Sequence, residues 1–225
     1  MRILFPAGLF LTLCLLISKP AFAQPDSVSN RLWVIKFSPQ HLLIHGYNLE
    51  VERRFSANGK RSFTFSPRYY NGNTKTIDKF SGRESGGLPT KVTGLGFEAM
   101  YRVYRPHLTK PGKQQYVAYG INYHRFALDY SVLGWGEVTE SNGLSYYKYQ
   151  WHPRQDEVNR LGAVLMFGAQ NPIITKRLLA DFYGGIGYRS GQNKNPESDR
   201  YQTNILDYGS SGVYLTVGFK LGYSF

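Results

Sequence analysis

The last fourteen residues of the chain, GVYLTVGFKLGYSF, alternate strictly between two kinds of side chain. Counted back from Phe225 in steps of two, seven positions are apolar or aromatic, and the positions between them are small or polar. Side chains of a β-strand point alternately to its two faces, so the segment predicts a strand with one apolar and one polar face. At the end of a chain, such a strand is typical of the closing strand of an outer-membrane β-barrel, whose apolar face meets lipid.

The N-terminal segment predicts export. Arg2 precedes an apolar run over residues 3–17, and Ala21-Phe22-Ala23 forms a small-x-small cleavage site, which together indicate a signal peptide over residues 1–23. The run is shorter than the ~20 residues that a membrane-spanning helix needs. The single cysteine, Cys14, lies inside this peptide, so we expect neither a disulfide nor a thiolate metal site in the exported chain.

Alternating runs like the terminal one recur along the chain, and neither heptads nor a long helical period is present. The eight predicted strands cover residues 31–38, 45–56, 61–70, 92–105, 115–130, 159–169, 176–189 and 212–225. The sequence therefore predicts an all-β fold: an eight-stranded antiparallel up-and-down transmembrane β-barrel over residues 31–225, after a short periplasmic segment at 24–30.

The connections between these runs alternate in length from the second strand onward. Short connections at 57–60, 106–114 and 171–175 are interleaved with long ones at 71–91, 132–158 and 190–211. Outer-membrane barrels have short periplasmic turns and long external loops, and this parity places both termini in the periplasm. The first connection, at 39–44, departs from the pattern because it is short where an external loop is expected.

The polar face of the predicted strands carries charges of both signs. Side chains fill the interior of an eight-stranded barrel, and buried charges persist only when they are paired. We therefore predict an interior charge network and no open pore, with Glu50, Glu52, Glu98 and Asp181 as candidate partners of Lys220. The predicted network comprises Glu50, Glu52, Arg54, Arg68, Glu98, Arg102, Arg177, Asp181 and Lys220.

Four stretches resemble the small outer-membrane β-barrel proteins of unknown function found in Bacteroidetes: VIKFSPQHLLIHGYNLEVERRFS, GLGFEAMYRVYRP, GAVLMFGAQNPIITKRLLADFYGGIGYR and the terminal strand. The positions that match the family's motifs are Lys36, Pro39, Leu42, Leu43, Gly46, Leu49, Glu52, Arg53, Glu98, Tyr101, Arg102, Tyr104, Gly168, Arg177, Asp181, Gly185, Gly187, Tyr188 and Arg189. The resemblance implies an eight-stranded-type barrel in the outer membrane. It implies no catalytic residues, because none are established for the family.

The long connection at 132–158 is rich in aromatic residues. Such side chains form either a binding surface for a ligand or partner or an interface girdle that extends the strands. The sequence leaves both interpretations open. The residues concerned are Trp135, Tyr146, Tyr147, Tyr149 and Trp151.

Catalysis and nucleic-acid binding are not favoured by the sequence. His124 and Ser131 lie seven residues apart on opposite faces of a predicted strand, so they cannot form a base–nucleophile pair. The net charge of +12 falls partly in the predicted periplasmic turns, where it suits lipid head groups better than nucleic acid. We expect no cofactor and no metal site.

The predicted function is that of an integral outer-membrane β-barrel protein, exported through a cleaved signal peptide, with a structural or surface-interaction role. Its expected partners are outer-membrane lipids, the barrel-assembly machinery during insertion, and a surface or periplasmic protein. The alternatives are a ligand- or partner-binding barrel that acts through its long external loops, a membrane-embedded lipid hydrolase and, at the level of fold, a soluble secreted β-barrel.

Overall fold

The computed structural model describes residues 32–55, 60–74, 90–106, 114–175, 177–194 and 207–225. The described residues form eight antiparallel strands in one sheet, which confirms the predicted all-β fold and strand number. The strands are β1 Trp33–Phe37, β2 Gly46–Arg54, β3 Arg61–Asn73, β4 Lys91–Pro106, β5 Gln114–Thr139, β6 Ser145–Pro172, β7 Leu178–Asn193 and β8 Gly212–Ser224. The predicted signal peptide, the segment at 24–30 and most of the predicted connections at 57–60, 71–91, 106–114 and 190–211 lie outside the described residues.

The sheet closes on itself. Each strand pairs with the next along the chain, and β8 returns to β1 to complete a closed barrel. The closing seam runs from Val34 opposite Ser224 to Phe37 opposite Leu221. The terminal strand is therefore the closing strand, as its position in the sequence predicted.

The two faces of the sheet differ as the alternation predicts. On β8, Leu215 and Val217 point outward and are 80% and 83% exposed, whereas Lys220 points inward and is fully buried. On β2, Glu50 and Glu52 are likewise buried inside. On these strands the outward side chains are thus mainly apolar, whereas the charged side chains of Glu50, Glu52 and Lys220 lie inside the barrel.

The longest strands, β5 and β6, have 26 and 28 residues and form a hairpin that continues far beyond its neighbours. Their pairing runs without interruption from Gln114 opposite Gln170 to Thr139 opposite Ser145. The prediction of a long connection at 132–158 is therefore wrong, since the chain turns only at 140–144, where Gly143 has a φ of +83°. We call the end of the barrel that carries this turn the upper end.

The connection between β1 and β2 is a short 3-10 helix, Pro39–Ile44, followed by His45 in a left-handed conformation with φ of 52°. It folds toward the barrel interior, where Gln40 Nε2 donates a hydrogen bond to the hydroxyl of Tyr183 at 2.9 Å. This inward fold explains how a connection can be short at the end where long loops were expected.

Two apolar clusters complete the packing of the interior. The upper cluster includes Tyr70, Phe126 and Leu128, and Tyr208 from the segment before β8 packs against it. The lower cluster includes Met100, Tyr104, Tyr116 and Met166.

Among the residues that the structure describes, no helix is both long enough and apolar enough to cross a membrane.

Candidate functional site

The centre of the barrel interior is a buried ion cluster built around Lys36. The Nζ atom of Lys36 lies 2.6 Å from Asp181 Oδ2, 2.7 Å from Glu52 Oε2 and 3.3 Å from Glu50 Oε1. All four side chains are fully buried. Strand alternation explains the arrangement, because each residue is at an inward position on β1, β2 or β7, and those strands meet around the seam.

Arg102 on β4 binds the same three carboxylates from the opposite wall. Its Nη2 lies 2.8 Å from Glu50 Oε1, and its Nη1 lies 3.1 Å from Asp181 and 3.3 Å from Glu52. Lys220 Nζ completes the cluster through a hydrogen bond to Glu50 Oε2. Among the described residues, Lys36, Arg102 and Lys220 thus meet the three carboxylates, and Arg54 approaches the cluster from below, with its Nε 3.8 Å from Glu52 Oε1.

Two tyrosines satisfy further carboxylate oxygens. The hydroxyl of Tyr104 donates to Glu52 Oε1 at 2.5 Å, and that of Tyr116 donates to Asp181 Oδ1 at 2.6 Å. The guanidinium of Arg102 also lies 4.6 Å from the centroid of the Tyr116 ring. Buried ions are tolerated when such donors complete their coordination, and most polar atoms of the cluster have a partner, although Arg102 Nε has no hydrogen-bond partner among the described residues.

A second ion pair lies higher in the barrel. Arg68 Nη2 binds Glu98 Oε2 at 2.7 Å, and Arg68 Nη1 donates to His124 Nε2 at 3.3 Å. At the lower end, Arg54 Nε is 3.8 Å from Glu52 Oε1, and Arg54 Nη2 donates to Gln170 Oε1 at 3.2 Å. Charged and polar contacts therefore fill the interior from its lower end to its middle.

Eight of the nine residues predicted for the interior network lie inside the barrel, and Arg177 does not. Arg177 precedes the first residue of β7 and is exposed, and its Nη1 donates to the hydroxyl of Tyr223 at 3.3 Å. The prediction was wrong because the alternation of β7 does not extend back to this position. The interior residues are Glu50, Glu52, Arg54, Arg68, Glu98, Arg102, Asp181 and Lys220.

The main residue that the sequence reasoning missed as part of the network is Lys36. In the sequence, Lys36 matches a motif position of the resembling family, and it also lies between Ile35 and Phe37 in an alternating run. That flanking pattern is the signal that could have placed it on the inner face. The ion partners of Lys36 depend on how the strands are aligned around the barrel, and this alignment cannot be read from the sequence of a single strand.

The candidate catalytic pair is split between the two faces. His124 is buried inside the barrel and stacks on Phe126 at 5.7 Å between ring centroids, whereas Ser131 is at an outward position on the same strand. Within the part of the chain that the structure describes, no three His, Cys, Asp or Glu side chains are grouped to hold a metal ion.

The protruding hairpin has two chemically different faces. Its front face, which continues the outer face of the barrel, consists of Leu133, Trp135, Tyr147, Tyr149 and Trp151. In the register, Leu133 is opposite Trp151 and Trp135 is opposite Tyr149, and the latter two rings are 5.3 Å apart. Of the five aromatic residues predicted for a binding surface, Tyr146 alone lies on the reverse face, opposite Val138.

A polar band separates the front face from the apolar residues of the barrel below it. In this band, Glu157 Oε2 accepts hydrogen bonds from Arg125 Nη2 at 2.9 Å and from Lys194 Nζ at 2.5 Å. The hydroxyl of Tyr123 donates to Asn159 Oδ1 at 3.0 Å. The aromatic residues of the hairpin are therefore not continuous with the aromatic residues of the barrel wall.

No family model matches the sequence, and the comparison with curated proteins gave no match.

Proposed function

We propose that the protein is an integral outer-membrane β-barrel with a closed interior and a structural or surface-interaction role. The observation that carries this proposal is the inverted distribution of polarity, with a buried cluster of paired ions inside and an apolar belt outside. Soluble proteins rarely expose contiguous apolar patches above a few hundred Å². Here outward apolar side chains occur around the wall, for example Phe65 on β3, Tyr119 on β5 and Leu215 on β8.

The height of the belt suits a bilayer. On β4 the outward apolar residues run from Leu95 to Val103, which is about 27 Å along the strand and about 20 Å along the axis at the usual ~40° tilt. Outer-membrane barrels carry an apolar band of about 25 Å between aromatic girdles. Tyr47 and Tyr69 stack at 6.2 Å near the upper edge of the belt, and Trp33 lies near its lower edge, where Arg53 covers its ring.

The filled interior supports a role without transport. The Lys36 cluster fills the centre of the barrel, Gln40 of the 3-10 helix reaches inward to Tyr183, and Tyr208 packs in the upper apolar cluster. A solute would have to break several buried ion pairs to pass. In this proposal the partners are outer-membrane lipids along the belt, the barrel-assembly machinery during insertion, and a further protein at the upper end.

Three measurements test the proposal. The chain purified in detergent is expected to migrate faster on an unheated gel than after boiling, and to stay with lipid vesicles after alkaline washing. In planar bilayers it is expected to give no conductance above that of protein-free membranes. A chain that stays folded and monomeric in buffer without detergent would instead point to the soluble secreted barrel.

The second candidate function, partner binding through the upper end, is favoured by the exposed front face of the hairpin. The membrane-embedded hydrolase is not proposed, because the ring of His124 is buried against Arg68 and Phe126, away from Ser131.

A further inference from the structure

A groove lies on the outer wall of the barrel, near its lower end, where β5, β6, β7 and β8 run side by side. It has a volume of about 820 Å³, and its walls carry the outward side chains of Val117, Phe167, Phe182 and Val217. We propose that this groove holds one acyl chain of a glycerophospholipid whose phosphate binds Arg105. The inference rests on the proposed function, because the groove faces lipid only when the barrel is inserted in a membrane.

Two small residues form the floor of the groove, Ala169 on β6 and Gly184 on β7. In the register, Ala169 is opposite Phe182, and Gly184 is opposite Phe167. The two phenylalanine side chains are 55% and 56% exposed and stand on either side of the gap that the small residues leave. A Cβ atom on Gly184 would have the carbonyl oxygen of Thr216, at 3.9 Å, as its nearest neighbour, so the space above the floor is open.

The groove runs along the barrel axis. The row of paired residues that starts at Ile35 on β1 reaches Val213 on β8, whereas the residue of β8 directly opposite Ile35 is Tyr223. One turn around the barrel therefore climbs ten residues (223 minus 213), which corresponds to a strand tilt of about 40°. The step from Ala169 to Gly184 crosses one strand, about 5 Å, and advances two residues, about 7 Å, so at this tilt it points within about 10° of the axis. Acyl chains in a bilayer lie along the same direction.

Arg105 supplies a cation at the lower rim of the groove. It lines the groove together with Gln115, its registered partner on β5. Arg105 is exposed, and it makes no ion pair with the residues that the structure describes. Val103, two residues above it, is the lowest apolar residue of the belt on β4, so the guanidinium lies at the level of the head groups. Guanidinium binds phosphate through paired N–H donors, which makes the rim complementary in charge to a phospholipid.

The position of the groove selects the lipid. In the proposed orientation the lower end of the barrel faces the periplasm, so the groove lies in the inner leaflet, which consists of glycerophospholipids. A second depression of about 580 Å³ lies around Ala163, higher on the same wall, and none of its lining residues is charged. The second depression therefore lacks a contact for a head group and serves as an internal comparison.

Native mass spectrometry of the full chain folded in detergent and titrated with phosphatidylglycerol tests the groove. The wild type is expected to bind one phospholipid above the non-specific background. Gly184→Leu, whose side chain fills the open space, is expected to raise the dissociation constant of that lipid at least about tenfold. Ala163→Leu, which fills the second depression on the same wall, is the matched control and is expected to bind like the wild type.

Arg105→Gln tests the phosphate contact in the same titration. The variant is expected to raise the dissociation constant about fivefold, as the loss of one exposed charge-assisted contact implies. Arg53→Gln is the matched control, because Arg53 is an exposed cation near the lower edge on β2, away from the groove. Diacylglycerol, which has the acyl chains without the phosphate, is expected to bind the wild type about fivefold more weakly than phosphatidylglycerol, and inorganic phosphate is expected not to displace the lipid.

The unheated-gel shift, which should be the same in the wild type and in every variant, shows that the barrel is folded. A wild type that keeps the shift but binds no phospholipid overturns the lipid site alone. Wild-type affinity in Gly184→Leu, equal effects of Arg105→Gln and Arg53→Gln, or tighter binding of lipid A than of phosphatidylglycerol would each overturn it as well. Loss of the gel shift in the wild type refutes the membrane barrel itself.

Discussion

Replacement of Lys36 by Met is the most direct test of the interior described above. Met keeps much of the length and the apolar stem of lysine but removes the charge. Lys36 Nζ lies within 3.3 Å of Asp181, Glu52 and Glu50, and all of these groups are fully buried. The variant therefore removes the nearest cation of Asp181 and of Glu52, and it leaves three buried carboxylates to Arg102 and Lys220, with Arg54 at 3.8 Å from Glu52.

The expected loss of stability follows from opposing contributions. At an effective dielectric constant near 20, each contact at 2.6–2.7 Å is worth about 6 kcal/mol of attraction. Against this, the variant no longer desolvates an ammonium group, which recovers several kcal/mol, and it avoids repulsion from Arg102. Breaking a buried pair by removing one partner typically costs about 3–5 kcal/mol, and we expect Lys36→Met to fall in that range.

The assay is reversible urea unfolding in detergent micelles or thin vesicles, followed by tryptophan fluorescence and by the gel shift. The matched control is Lys36→Met combined with Glu52→Gln, which removes one carboxylate charge together with the cation it faces, and we expect it to regain at least about 1.5 kcal/mol relative to the single variant. The reasoning would be refuted if Lys36→Met lowered the free energy of unfolding by less than about 1 kcal/mol. It would also be refuted if the double variant lost as much stability as Lys36→Met and Glu52→Gln lose in sum when each is measured alone.

Three further outcomes follow from the same structure. Val217→Arg, near the middle of the apolar stripe of β8, is expected to destabilise the vesicle-inserted barrel by about 2–4 kcal/mol. Leu144→Arg, at the tip of the hairpin, is expected to change the stability by no more than about 0.5 kcal/mol. Equal effects of the two variants in urea titrations would contradict a lipid-facing belt. Gly185→Ala is expected to lower the free energy of unfolding by about 1–3 kcal/mol, because its Cβ would lie 2.3 Å from the carbonyl oxygen of Leu165. Gly184→Ala is the control: the nearest atom to its Cβ would be 3.9 Å away, so its melting temperature should equal that of the wild type. Removal of the front-face tryptophans is expected to leave the heat-modified gel shift intact, since these side chains lie outside the barrel wall; loss of the shift would show that they support the fold.

The number of strands and the content of the interior could be predicted from the sequence because both depend on alternation along single strands. Phe63, Phe65 and their polar neighbours on β3 show the period of two directly. The same rule placed Glu98 and Arg102 inside. It failed at Arg177, where the strand had not yet begun.

The extension of β5 and β6 could not be predicted in the same way. Gly134, Gly136 and Pro153 interrupt the alternation, and glycine and proline are disfavoured inside strands. What keeps the segment extended is cross-strand pairing, such as that of Trp135 with Tyr149 and of Val132 with His152. Such contacts become visible only once both strands are in register.

The identities of the ion partners depend on how the strands are staggered around the barrel. Four carboxylates were candidate partners of Lys220, and the structure pairs it with Glu50, which lies across the seam on β2. The inward 3-10 helix depends on the same kind of information, since its contact with Tyr183 joins residues 143 positions apart.

The seam between β1 and β8 has a consequence for assembly. β1 has only five residues, and four backbone pairs join it to β8, so few main-chain bonds hold the barrel closed. Two ion contacts span that junction: Lys36 on β1 reaches Asp181 on β7, and Lys220 on β8 reaches Glu50 on β2. Docking of the last strand therefore brings Lys220 to Glu50 and Lys36 to Asp181. These two contacts require the closed barrel, where they add to the few backbone bonds of the seam.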